Sequence, residues 1–175
     1  MEDTKAIIEA IIFASEAPIS VDKIKEVLPD VEKMEITRLL QDLIAEYEKR
    51  LGGVLLQEVA GGFQFRTRSD FSSWITKLMR GRPAMMSPAA METLAVIAYK
   101  QPVVKSEIDR IRGVDVGSSL KSLLEKKLVR IMGRKDVPGK PILYGTTKKF
   151  LEVFNLKDLS ELPTLKELKD LQYGT

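Results

Sequence analysis

Cysteine is absent from this chain of 175 residues, so neither a disulfide framework nor a thiolate metal site can form. Histidine is absent as well, which removes the commonest metal ligand and the commonest general base near neutral pH. No apolar run approaches the roughly 20 residues that span a bilayer. The segment Met1-Glu2-Asp3-Thr4 lacks the basic n-region of a signal peptide. Phosphate-binding glycine motifs of the P-loop or dinucleotide type are missing too. Carboxylates are plentiful, yet Glu32, Glu35, Glu46 and Glu48 fall on helix faces that read as solvated. These absences predict a soluble cytoplasmic protein that is not an enzyme and holds no metal or cofactor.

What is present is apolar enough, at 44%, for ordinary cores. The net charge of +3 conceals an asymmetry. Residues 1–80 carry 11 basic and 14 acidic side chains, residues 81–156 carry 14 and 7, and the rest carry 3 and 4. Only the second part can attract an anionic partner at long range.

An internal repeat organises the chain. Pro18 and Pro102 stand 84 residues apart, and at that offset Ile7, Ala10, Ile11 and Ala14 correspond to Met91, Leu94, Ala95 and Ala98. The spacing i, i+3, i+4, i+7 predicts a helix in each copy. Ile24 and Val27 match Ile108 and Ile111 in a second helix, and Ile36, Leu39 and Leu40 match Leu120, Leu123 and Leu124 in a third. The third helix of the first copy is extended by Ala45–Lys49. Ser118 and Ser119 are read as N-caps of the other. Further on the offset falls to 79, pairing Phe65, Thr67 and Phe71 with Tyr144, Thr146 and Phe150.

Each copy then shows two β-rich runs around a turn: Val54–Val59 and Phe63–Thr67 about Ala60-Gly61-Gly62, and Val129–Met132 and Ile142–Thr146 about Gly133–Pro141. A last helix closes each copy, with apolar stripes Phe71, Trp74, Ile75, Leu78 and Phe150, Val153, Phe154. Three helices followed by a two-stranded hairpin is the winged-helix order. The prediction is a mainly α protein with small β wings, built from two tandem winged-helix domains. Their expected bounds are 1–80 and 87–156, with a linker at 81–86 and a tail at 157–175. Leucines at 159, 162, 165, 168 and 171 suggest that the tail is either a frayed helix on the second domain or a docking segment.

The basic loop Gly133-Arg134-Lys135-Asp136-Val137-Pro138-Gly139-Lys140-Pro141 would hold three cations on a wing, suited to a phosphate backbone or an acidic protein surface. Third helices that read DNA present Arg, Asn or Gln to base edges. Glu35, Arg38, Asp42 and Glu46 in the first copy would repel DNA, and the serines and lysines of the second are poor readers. Sequence-specific operator binding is disfavoured. A DNA-binding regulator using the basic second domain is the alternative to a protein-binding subunit.

Ser87-Pro88-Ala89-Ala90-Met91-Glu92-Thr93-Leu94-Ala95-Val96-Ile97-Ala98-Tyr99-Lys100-Gln101-Pro102, together with the Gly133–Pro141 loop running into Leu143-Tyr144-Gly145-Thr146-Thr147, closely resembles the bacterial segregation and condensation protein B (ScpB) family. Phe150-Leu151 and Leu159–Pro163 continue the likeness. The resemblance implies an accessory subunit of the condensin complex, acting in chromosome condensation and segregation with the kleisin ScpA and, through it, the SMC ATPase. It implies a nucleoid-associated homodimer formed by the first domain, kleisin binding by the second, and at most weak or indirect contact with DNA. Val104 stands where the family often has threonine, and Lys140 replaces the usual arginine, keeping charge but losing a bidentate fork.

Two site expectations follow. Ile8, whose repeat counterpart is Glu92, and Ile12 one turn along make the first helix apolar nearly all round, which points to a dimer interface. Tyr99, Arg134, Lys135, Lys140 and Tyr144 form the expected kleisin-binding surface, since tyrosine and arginine are favoured interface anchors. Tyr144 is equally readable as core.

Overall fold

The computed structural model describes residues 3–79, 86–164 and 167. The chain divides into two compact units, one comprising Met1–Pro83 with Asn155–Thr175 and the other Ala84–Phe154. Residues 81–85 of the expected 81–86 linker and the leucines at 165, 168 and 171 lie outside the described residues.

In the first unit, α1 (Thr4–Ala14) starts where the Asp3 carboxylate accepts from the backbone N–H groups of Lys5 and Ala6, satisfying donors that a helix start leaves unpaired. Ser20 caps α2 (Val21–Val27) in the same way through the Lys23 N–H. The third helix, α3 (Lys33–Lys49), includes the extension expected from Ala45–Lys49. Strands β1 (Val54–Val59) and β2 (Gly62–Thr67) pair antiparallel, and a last helix, α4, covers Ser72–Leu78. Ile8, Ile12, Ile24, Ile36, Leu40 and Leu43 form the heart of the core with Leu56 and Phe63. Each such side chain stabilises the fold by roughly 1.5–3 kcal/mol through burial.

The second unit repeats the order. Ser87 accepts from the Ala90 N–H at 3.2 Å, and Pro88 occupies the first turn of α5 (Pro88–Lys100), where its missing donor costs nothing. Strand β3 (Val103–Val104) leads into α6 (Lys105–Arg112), whose cap position is Val104 with no side-chain hydrogen bond. Gly113, at φ +70°, ends α6 in the left-handed conformation that suits glycine. Helix α7 (Gly117–Glu125) is capped by carboxylates and not by serine. Asp109 takes the Val116 N–H and Asp115 the Gly117 N–H, so Ser118 and Ser119 already lie inside the first turn. Strands β4 (Val129–Arg134) and β5 (Ile142–Thr146) join β3 in the order β3-β5-β4, and α8 (Lys148–Phe154) follows.

Three expectations change. Burial on α1 falls on Ile8 and Ile12, at 0% and 1% exposure, where α1 packs on α3 and β2; Ala10 and Ala14 are exposed. Both isoleucines are therefore consumed by the domain's own core and present no surface to a second chain. The repeat register in the wing also shifts. Ile19 bridges to Phe63 and Val103 to Tyr144, so Phe63, not Phe65, occupies the place of Tyr144. The segment after α8 belongs with the first unit and not the second. The N–H groups of Ala60 and Gly61 donate to the carbonyls of Leu156 and Lys157 at 2.8 and 3.0 Å, and Lys157 pairs with Glu58 at 3.4 Å. Ala60 and Gly61 both have positive φ, as a two-residue hairpin turn requires.

Candidate functional site

The wing of the second unit is shaped by its own backbone. Pairing slips at Met132, between Ile131 and Gly133, and Gly133 takes φ +148°, the kind of bulge that re-aims a strand. Beyond Arg134 the loop closes on itself: the Lys135 N–H donates to the Pro141 carbonyl at 2.9 Å and the Lys140 N–H to Val137 at 2.9 Å. Arg134 donates to the Lys140 carbonyl at 3.0 Å. Lys135 reaches Glu107 on α6 at 2.8 Å, and this hydrogen bond holds the Glu107 carboxyl below its usual range. Arg134, Lys135 and Lys140 are thus brought together on an exposed, internally braced loop.

The two expected tyrosines part company. Tyr99 is exposed near the end of α5. Tyr144 is 8% exposed on the central strand β5, between Val103 and Ile131, and belongs to the core. A surface role for Tyr144 is withdrawn, because at 8% exposure the side chain has too little free surface to anchor a partner.

Sequence reading missed apolar groups on the same wing. Ile131, Met132 and Val137 are exposed among the cations. The signal was available: Val129, Ile131 and Met132 break strict alternation, and an edge strand with one core face cannot bury both sides. A surface with apolar groups set among fixed cations suits a protein segment, with the apolar contacts supplying affinity and the charges orienting it.

The first unit differs. Arg38 on α3 is bound by Glu35 at 2.6 Å and Asp42 at 3.1 Å, which neutralises the cation at the middle of that helix. On α4, Trp74 and Leu78 are 64% and 81% exposed, with Phe71 and Met79 also exposed. The predicted closing stripe of the first copy is therefore left largely exposed among the described residues, whereas Phe150 of α8 is buried and stacks against Phe154 at 4.8 Å. No helix among the described residues is long and apolar enough to cross a membrane.

The model of the segregation and condensation complex subunit ScpB matches residues 6–165. The chain belongs to the ScpB family. It is 48% identical to segregation and condensation protein B of Syntrophotalea carbinolica over 97% of this chain and 85% of that protein. With the segregation and condensation protein B homolog of Coxiella burnetii it shares 44% identity over 96% of this chain and 81% of the relative. Among solved structures, ScpB from Mycobacterium tuberculosis is 28% identical, aligned over 89% of this chain and 96% of that one, with a TM-score of 0.42.

Proposed function

We propose that the chain is a non-enzymatic subunit of a bacterial SMC–ScpA–ScpB condensin complex, acting in the nucleoid within the cytoplasm. Family membership across residues 6–165 carries this reading. The second unit engages the kleisin ScpA through the wing, where Arg134, Lys135 and Lys140 set orientation and Ile131, Met132 and Val137 supply apolar contact. The first unit forms a homodimer, and its surface is α4 and not α1, because Trp74 and Leu78 are solvent-exposed while Ile8 and Ile12 are spent inside. Exposed tryptophan is a frequent anchor of such interfaces.

The deciding experiment is co-purification of the full chain with ScpA. The Arg134→Glu/Lys135→Glu variant is expected to lose ScpA while still unfolding cooperatively near the parent's melting temperature, since the Lys135–Glu107 pair is solvent-exposed and such pairs contribute little to stability. Retained ScpA would move the binding surface off the wing. Sedimentation of Trp74→Glu/Leu78→Glu is expected to give monomers of unchanged helical content, and a persistent dimer would clear α4.

A further inference from the structure

Two lysine doublets far apart in sequence meet at the foot of the second unit's hairpin. Thr147 N–H donates to the Leu128 carbonyl at 3.2 Å, and its hydroxyl donates to the Lys127 carbonyl at 2.6 Å. These bonds join the α7–β4 turn, with Lys126 and Lys127, to the β5–α8 junction, where Lys148 and Lys149 open α8. Arg130 lies alongside, paired in register with Gly145 and donating to the Thr146 carbonyl at 3.3 Å. All five cations are exposed.

The nearby acids are already engaged. Glu125 lies 4.0 Å from Lys121, and Glu152 pairs with Lys149 at 2.8 Å. Among the described residues, no ion pair takes Lys126, Lys127, Arg130 or Lys148. The backbone adds a second observation. Lys127 ends α7 in a left-handed turn at φ +57°, with its own N–H on Leu124 and the Leu128 N–H on Leu123. Glycine is the usual residue there, and any side chain costs on the order of 1 kcal/mol. The first unit holds Leu51 at φ +50° in the corresponding turn after α3, so the cation at this position is particular to the second unit.

We propose that this cluster binds the phosphate backbone of duplex DNA directly and without sequence preference. Its make-up separates it from the wing. None of the large exposed apolar side chains lies in either turn, whereas a protein partner would call for such anchors. Lysine point charges spaced over two turns suit a phosphate backbone and carry no base readout.

The test is binding of the full chain to a short mixed-sequence duplex across a salt series. Four phosphate contacts predict about a hundredfold weaker binding at 200 mM than at 50 mM salt. The Lys126→Glu/Lys127→Glu/Lys148→Glu variant is expected to bind at least about tenfold more weakly and to lose about three units of salt slope. The milder Lys→Gln triple, checked by circular dichroism, is expected to change in the same direction. Arg134→Glu/Lys135→Glu is expected to keep most of the duplex affinity, and ScpA co-purification by the triple variant to be unchanged, so this proposal and the kleisin reading fail separately. Absence of duplex binding at 50 mM salt, as an acidic protein partner would give, overturns it. So does an unchanged salt slope in the triple variant, or loss of binding only in the wing variant.

Discussion

The two units run through the same order of elements but differ in what they bury and in what they leave facing water. The first repeat closes with a helix whose apolar stripe is exposed, and its hairpin turns in two residues. The second buries Phe150 of its last helix and spreads cations over a long wing and two facing turns. An inherited core thus coexists with opposite surfaces. The core positions Ile24 and Ile108, or Ile36 and Leu120, are buried in both; specialisation is confined to α4, α8, the wing and the lysine turns.

The largest test of this contrast exchanges residues between repeats. Ile8→Glu places a carboxylate at 0% exposure in the first unit's core and is expected to cost several kcal/mol, lost as a separate early transition in urea. The reciprocal Glu92→Ile removes the partner of Arg112, whose side chain is 14% exposed and whose Nε already lacks a partner, so a cost of about 1–3 kcal/mol is expected, below that of Ile8→Glu. Monomers with intact helicity from Ile8→Glu would restore that residue to an interface and undo the core assignment.

Turns give a smaller effect. A Cβ on Gly62 would lie 2.9 Å from backbone atoms of Pro18 and Ile19, which cannot move without breaking the Ile19–Phe63 bridge. Gly62→Ala is expected to destabilise by about 1–3 kcal/mol. Gly139 in the wing has φ +83° but nothing within 4 Å, so Gly139→Ala carries only the conformational cost of about 1 kcal/mol. Equal costs, measured by denaturant midpoints, would remove the distinction between a turn packed on the core and a free one.

The smallest effect is electrostatic. Hydrogen bonds from Lys105 hold the Asp109 and Asp115 carboxyls below their usual range, and Lys135 does the same for Glu107. Depressed folded-state values mean stabilisation that is present above the unfolded carboxylate range, about pH 4, and lost as pH falls below it. The melting temperature of the second unit is therefore expected to decline from about pH 5 downward, and less steeply in Lys105→Met.

Much of this was legible in the sequence because the relevant signals were local and periodic. The helices, the hairpins and the cap Ser87-Pro88 could be read because spacing and turn chemistry fix them. The failures share one cause, which is that an apolar residue declares that it is buried but not against what. Ile8, read as an interface, lies in the core, and α4, read as a closing stripe, is exposed, for that reason. Tyr144 was ambiguous because an assumed offset of 79 aligned it with Phe65, whereas the strand bridges align it with Phe63. The lysine cluster was invisible because its members, 126–127 and 148–149, meet only through Thr147.

The carbonyls of Leu156 and Lys157, seated on the Ala60-Gly61 turn, set an order of events during synthesis. At about 5–20 residues per second, the ribosome adds the roughly 95 residues between that turn and its acceptors in some 5–20 seconds. Throughout that interval the hairpin carries two outward N–H groups with no carbonyl to meet them, while the whole second repeat emerges and can fold. The amino-terminal half, first to be made, is the last to be finished.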